Sequence, residues 1–129
     1  MKNKLIFSGS LLMALAVILG ALGAHALKAK LSTDQLLSFE TGVRYHLIHA
    51  LGILALAGFS EQFGEKRLRT IAILMVLGIL FFSGSIYLLA TRDLYGMSGE
   101  LRFLGPVTPI GGMLFIAGWI LTALSVKRN

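Results

Sequence analysis

Three long stretches of the chain contain no acidic or basic residue, and they constrain the fold more than any other feature. They are residues 5–27, 70–91 and 103–126. Each is long enough, at about 1.5 Å of rise per residue, to cross about 30 Å of hydrocarbon as an α-helix. With 56% hydrophobic and 14% charged residues, the composition lies outside the range of soluble globular domains. The sequence therefore predicts an integral membrane protein.

A fourth span is predicted between residues 41 and 60, where the apolar run is shorter and Arg44 falls in the first turn. Before it, Ser32 and Gln35 form the pattern of a capping box, and a short amphipathic segment follows that is suited to the membrane surface. We therefore expect one all-α domain, residues 1–129, folded as an integral membrane bundle of four transmembrane helices, with room for a short interfacial helix between helices one and two. The predicted spans are residues 5–27, 41–60, 70–91 and 106–126.

Basic residues are distributed unequally between the two sides of this bundle. Five fall on the side opposite the N-terminus, and the seven on the N-terminal side are Lys2, Lys4, Lys66, Arg67, Arg69, Lys127 and Arg128. Because Lys and Arg are retained on the cytoplasmic side, we expect both termini of this multi-pass protein to lie on the cytoplasmic side of a bacterial plasma membrane. The same bias accounts for the net charge of +6, so no nucleic-acid partner is expected.

The first residues imitate a signal peptide. Lys2 and Lys4 precede an apolar run, and Ala24-His25-Ala26 has the small residues of a cleavage site. The run is longer than a usual signal core, so we expect it to be retained as helix one.

Small residues predict which helix faces pack closely in the membrane. In helix one the stripe contains Gly9, Ala16, Gly20 and Gly23, and in helix four it contains Gly111, Phe115, Gly118, Thr122 and Ser125. In helix three, Gly78 and Ser85 fall on one face and Ser83 and Tyr87 on another.

Polar side chains are concentrated in the half of the bundle that we expect to lie toward the outer leaflet. With the N-terminus inside, helices one and three end on the outer side and helices two and four begin there. The candidate site residues are His25, Thr41, Arg44, Tyr45, His49, Ser83, Ser85, Tyr87 and Thr108. Ionisable groups inside a bundle mark a binding site by default, but interhelical hydrogen bonds also hold helices together. A ligand-binding pocket and a buried polar network both remain open.

Helix two carries the most unusual members of this set. A rotation of 100° per residue places Tyr45, His46 and His49 on one side and Arg44 on the other. His49 lies about 12 Å along the helix axis from Thr41. At that depth its imidazole needs a hydrogen-bond partner inside the bundle.

Three histidines raise the question of a metal or haem site. His46 and His49 have a helical spacing of three, but no carboxylate lies beside them and a third ligand would have to be His25. The chain has no cysteine, which excludes thiolate ligands and thiol catalysis. His49 as a general base lacks an evident nucleophile, because Ser83 and Ser85 lie in an apolar helix. We expect no metal and no cofactor, and an enzyme is the less favoured interpretation.

Four motifs, in order along the chain, resemble the YgdD/YwdK-like family of small integral membrane proteins, a domain-of-unknown-function family with an animal branch. The motifs are LGALGAH at 19–25, Thr41-Gly42 with Tyr45 and His49, FSGS at 82–85 with Tyr87, and Thr108-Pro109 with Gly111-Gly112. The resemblance implies a four-helix plasma-membrane protein and supplies no activity. It also implies that His25 and His49 belong to the family motifs, whereas the position of His46 can hold Gln, which disfavours a trihistidine metal site.

The hypothesis for function is therefore a small multi-pass binding or accessory protein of the inner membrane. Its outer-leaflet pocket around His49 would hold a lipid, a quinone-like molecule or a partner helix, and a homo-oligomer is compatible with the pattern. One alternative is an oligomeric small transporter or channel, which the apolar inner half of helices two and three disfavours. The other, less favoured still, is a His-ligated metal or haem protein.

Overall fold

The computed structural model describes residues 1–126, and this part of the chain is almost entirely helical. The helices are α1 (Lys2–Ala24), α2 (Thr33–Gly58), α3 (Glu65–Gly78), α4 (Ser85–Thr91) and α5 (Val107–Ser125). A π-helical turn, Ile79–Gly84, joins α3 to α4 without a break, so the two form one rod. No strand occurs among residues 1–126, and the predicted all-α bundle is confirmed. Lys127 and Arg128, which entered the charge count, lie outside the described residues.

Three helical segments are long and apolar enough, by length and composition, to cross a membrane. They are Lys2–Ala24, Glu65–Tyr95 and Arg102–Ser125. Helix α2 has 26 residues, which is also sufficient length, but its outer part carries charged and imidazole side chains. It packs against both α1 and the α3–α4 rod, and its crossing of the membrane as a fourth span stays a prediction.

Helix α2 begins earlier than the sequence pattern suggested. The Ser32 side chain accepts from the backbone N–H of Gln35, and the Gln35 side chain accepts from the backbone N–H of Ser32, which confirms the capping box. No Gly or Pro follows before Gly42, so nothing interrupts the helix once it has started. The segment expected as a separate interfacial helix is instead the first two turns of α2, and Phe39 within it is buried.

Helix α1 packs on α2 through its small residues. Gly9 and Gly23 are buried, as the stripe predicted. A Cβ atom added at Gly9 would lie 2.8 Å from Cγ of Leu54, and one at Gly23 would lie 3.0 Å from the ring of Phe39. These glycines therefore allow the two helices to approach more closely than larger residues would.

Helix α5 packs on the α3–α4 rod at the level of the π-helical turn. A Cβ atom at Gly111 would lie 2.2 Å from the backbone nitrogen of Phe82, and one at Gly78 would lie 2.4 Å from the ring of Phe115. Gly111, Phe115, Gly118 and Ser125 are the buried residues of α5, which confirms most of the predicted stripe. The helix begins at Val107, one residue after the start of the predicted span.

The core is apolar toward the end of the bundle that holds the N-terminus. One buried cluster there brings together α1, α2, α3 and α5, and its fully enclosed members include Ile53, Ile71 and Met75. A smaller cluster around Phe39 and Val43 lies toward the other end. In sequence, the buried polar residues His46 and His49 of α2 and Ser85 of α4 fall between the residues of the two clusters.

Candidate functional site

The polar side chains of α2 connect it first to α4 and to the π-helical turn. Nδ1 of His46 lies 2.9 Å from the hydroxyl of Tyr87, and His46 is only 1% exposed. One turn earlier, Ser83 donates to the backbone carbonyl of Gly42 at 2.7 Å. These two contacts use the Ser83 and Tyr87 face that the sequence predicted for helix three.

The two ring nitrogens of His46 differ in their surroundings. Nε2 is buried and has no hydrogen-bond partner within residues 1–126, whereas Nδ1 is bonded to the hydroxyl of Tyr87. Tyr87 is therefore the partner that fixes the orientation of this ring.

His49 connects α2 to α5, and both of its ring nitrogens are used. The indole Nε1–H of Trp119 donates to Nε2 at 3.0 Å, and Nδ1 lies 2.6 Å from the backbone carbonyl of Tyr45. Because an indole N–H can only donate, Nε2 is the acceptor, and Nδ1 carries the proton that it donates to Tyr45. The ring also stacks on Phe115, with centroids 3.4 Å apart and planes 12° apart.

A third polar contact joins α4 to α5. The hydroxyls of Ser85 and Thr108 lie 2.5 Å apart, and Ser85 also donates to the carbonyl of Phe82 at 3.0 Å. Phe82 lies in the π-helical turn, where the regular pattern of backbone hydrogen bonds is altered. Thr108 therefore stabilises the contact between α4 and α5.

The structure separates the predicted site residues into two groups. Six of them contact one another or the same partners, and these are Tyr45, His49, Ser83, Ser85, Tyr87 and Thr108. His25 follows the end of α1 and is exposed. Thr41 donates to the carbonyl of Leu37 in its own helix. Arg44 is exposed at a shallow groove of about 230 Å³ between α1 and α2.

A metal site does not form from these side chains. Among the described residues, no group of three or more His, Cys, Asp and Glu side chains could hold a metal ion. His46 and His49, although three residues apart, bond to different helices.

Trp119 is the main participant that the sequence did not indicate. It is the only tryptophan of the chain, and its position four residues after Phe115 places both on one face of α5. Phe115 was already part of the predicted close-packing stripe. A search for the polar partner of His49 along that face would have found the indole N–H.

An exposed aromatic surface lies over His49. We call it the aromatic face, and its members are Tyr45, Phe82 and Trp119; Tyr45 and Trp119 are exposed, Phe82 is half-buried, and Phe115 is buried beneath them. The ring of Tyr45 lies 4.5 Å from Phe82 and 6.3 Å from Phe115, centroid to centroid. Tyr45 is 39% exposed and Trp119 is 43% exposed. The hydroxyl of Tyr45 makes no hydrogen bond to the residues that the structure describes.

A groove of about 410 Å³ between α2 and α5 continues from the aromatic face. Gly52 and Trp119 line its beginning, and Phe59 and Thr122 line its far part. Its walls are mostly apolar, and within residues 1–126 no charged side chain lines it. The aromatic face and this groove together form a continuous slot on the surface of the bundle.

Changing Tyr87 to Phe tests the contact between α2 and α4. We expect the free energy of unfolding to fall by about 1 kcal/mol, because the His46 ring loses its partner in a buried position. Unfolding of the purified protein in mild detergent, followed by circular dichroism, measures this difference. The matched control is Tyr95→Phe, in an exposed turn; equal losses in both variants would contradict the assignment.

Comparison with known proteins agrees with the motifs. A family model described as "Protein of unknown function (DUF423)" matches residues 19–112. The "UPF0382 membrane protein YwdK" of Bacillus subtilis (strain 168) is 38% identical over 124 residues, 95% of each chain. The "UPF0382 inner membrane protein YgdD" of Escherichia coli (strain K12) is 35% identical over 116 residues, 88% of this chain and 83% of that one. No solved structure matches. The names of both relatives confirm the resemblance and support a multi-pass location in a bacterial membrane.

Proposed function

This chain belongs to the DUF423 family of membrane proteins, and on that premise we propose that it is a binding or accessory protein for a neutral, membrane-soluble molecule of the quinone type. The ring of the ligand lies on the aromatic face, and its tail lies in the groove between α2 and α5. The charge pattern predicts that Tyr45 lies in the outer half of α2, and the groove for the tail runs from there toward the cytoplasmic end, where both termini are expected.

The observation that carries this proposal is the free hydroxyl of Tyr45. It belongs to α2, the predicted fourth span, is 39% exposed, and finds no partner within residues 1–126. A hydroxyl that faces hydrocarbon without a hydrogen bond costs roughly 1–3 kcal/mol. A ligand that brings a carbonyl oxygen to Tyr45 removes this cost, and quinone carbonyls are acceptors of this kind.

The surroundings of Tyr45 favour a flat, uncharged ligand. Trp119 and, to a smaller extent, Phe82 offer ring surfaces on which another ring can stack. The adjoining groove of about 410 Å³ falls within the usual range for small-molecule sites, about 300–1,000 Å³. Among residues 1–126 its lining contains no charged side chain, which is compatible with a neutral ligand.

His49 has a positioning role in this proposal. Its Nδ1–H holds the carbonyl of Tyr45, and its Nε2 fixes the indole of Trp119. With both nitrogens engaged, the ring is not available to accept a proton from a substrate. The proposal therefore assigns ligand contact to Tyr45 and Trp119 and support to His49.

Fluorescence provides a direct test, because Trp119 is the only tryptophan. The protein in lipid nanodiscs is titrated with a short-chain quinone, whose oxidised ring quenches indole emission. We expect saturable quenching for the wild type. Tyr45→Phe should weaken the apparent affinity about fivefold, because one hydrogen bond of about 1 kcal/mol is lost.

The control variant is Tyr95→Phe, which removes a hydroxyl from an exposed loop position and should leave the affinity unchanged. Quinone that merely dissolves in the bilayer quenches in proportion to its concentration and does not saturate. Unsaturable quenching with the same slope in all three proteins would contradict the proposal.

A further inference from the structure

A second groove lies at the opposite end of the molecule, between the first turns of α1 and the first half of α3. Its volume is about 690 Å³, and it does not share a residue with the aromatic face or the adjoining groove. Leu5 and Phe7 line it from α1, and Ile73 and Val76 line it from α3. Most of the groove surface between the two helices is therefore apolar.

Cations lie at one end of this groove. Lys4 in α1 and Arg69 in α3 both line it, and each is exposed. Ile73 lies four residues after Arg69, and Val76 lies seven residues after Arg69. The apolar side chains therefore continue along the same face of α3. The stems of Lys and Arg can lie on apolar surface while their charged ends reach the membrane–water interface. The groove is thus charged at its entrance and apolar beyond it.

Further positive charge lies beside this entrance. Lys2 precedes Lys4 by two residues, and Lys66 precedes Arg69 by three. Arg67 is not part of this group, because it donates to Ser125 of α5. The only acidic residue in the first turn of α3 is Glu65. Basic pockets between transmembrane helices on the cytoplasmic side are suited to anionic lipid head groups. The charge distribution predicts that this end of the bundle is the cytoplasmic one.

From this complementarity we propose that the groove between α1 and α3 binds an anionic diacyl phospholipid of the inner leaflet. One acyl chain lies against Leu5, Ile73 and Val76, and the phosphate bonds to Lys4 and Arg69. The site is independent of the quinone-type site, so either can be present without the other.

Native mass spectrometry of the full chain in a neutral detergent tests this proposal. The protein is titrated with phosphatidylglycerol and, separately, with phosphatidylcholine that carries the same acyl chains. We expect the wild type to prefer phosphatidylglycerol. The double variant Lys4→Gln/Arg69→Gln should lose about tenfold in affinity for phosphatidylglycerol, because two cations near the phosphate are removed, and should keep its affinity for phosphatidylcholine.

Two further variants separate charge from shape. Lys28→Gln/Lys30→Gln removes two exposed cations at the other end of α1 and should retain the wild-type preference. Ile73→Trp fills the groove without changing its charge and should weaken the binding of phosphatidylglycerol. Inorganic phosphate should not compete, because the acyl chain supplies part of the affinity.

Several results would overturn the proposal. The first is equal binding of the two lipids by the wild type. The second is an equal loss of the preference for phosphatidylglycerol in Lys4→Gln/Arg69→Gln and in Lys28→Gln/Lys30→Gln. The third is full competition by inorganic phosphate. Occupation of the groove by a second copy of the chain, seen as a dimer that Ile73→Trp dissociates while lipid binding is unaffected, would also overturn it. Circular dichroism melting of each variant verifies that the exposed substitutions leave the fold intact.

Discussion

Replacing Gly111 with alanine is expected to lower the free energy of unfolding by about 3 kcal/mol, near the upper end of the range for overpacking. The added Cβ atom would lie 2.2 Å from the nitrogen of Phe82 and 2.7 Å from the carbonyl carbon of Phe81. These are backbone atoms, so no side-chain rotation can relieve the clash. Helix α5 must move away from the π-helical turn, and the contact between Ser85 and Thr108 is lengthened as it does so.

The adjacent glycine provides the matched control for this experiment. A Cβ atom at Gly112 would meet the ring of Phe82 at 3.7 Å, which is ordinary van der Waals contact. Both substitutions gain the same helix propensity, about 1 kcal/mol. Gly112→Ala should therefore be neutral or stabilising in denaturant unfolding from mild detergent. Similar destabilisation by both substitutions would show that α5 does not approach the rod as closely as the structure indicates.

Replacing His49 with alanine is the second large expected effect, a loss of about 3 kcal/mol. The substitution removes the ring that stacks on Phe115 and leaves a cavity beside it, and buried large-to-alanine changes typically cost about 2–5 kcal/mol. It also leaves the indole N–H of Trp119 without its acceptor. Thermal unfolding followed by circular dichroism measures the loss. His25→Ala is the control, because that side chain is exposed, and it should change stability by less than about 0.5 kcal/mol.

A double-mutant cycle isolates the hydrogen bond from the cavity. Combining His49→Ala with Trp119→Phe should give a coupling energy of about 0.6–1.7 kcal/mol, the range of interhelical hydrogen bonds in membranes. Additive effects of the two substitutions would contradict the contact between Nε2 of His49 and the indole. A larger loss for His25→Ala than for His49→Ala would contradict the positioning role of His49.

Much of the bundle could be predicted from the sequence because charge and small residues carry the information. Charge-free runs predict apolar helices in a membrane whatever their neighbours are. Glycines mark faces of close approach, and Gly78 and Ser85 do face α5 while Ser83 and Tyr87 face α2. The capping box at Ser32 was also recognisable, although the length of the helix that follows it was not.

Other features depend on contacts that a one-dimensional pattern does not contain. The π-helical turn arises where α5 packs against Phe81 and Phe82, and a local run of apolar residues gives no sign of it. In a membrane helix most faces are apolar, so hydrophobic periodicity cannot decide which face meets which neighbour. The pairing of His49 with Trp119, 70 residues away, required the packing of α2 on α5 to be known.

Which of the candidate site residues are buried and which are exposed also depends on how the helices pack. The side chains of His25, Arg44 and His49 were all predicted in the outer half of the bundle, but the end of α1 and the rotation of α2 decide which of them face its interior. His25 and Arg44 are exposed, whereas His49 is buried. The free hydroxyl of Tyr45 also became evident only from the positions of its neighbours.

Native mass spectrometry of protein extracted gently from its own membrane tests the account most directly, because it does not require the ligand to be chosen beforehand. The wild type and Tyr95→Phe should each carry a neutral, ring-bearing species that is distinct in mass from phospholipid and is released on activation. In Tyr45→Phe its occupancy should fall about fivefold, in line with the loss of one hydrogen bond. A wild type that carries no such species, or one whose occupancy is unchanged in Tyr45→Phe, would contradict the proposed role of the aromatic face.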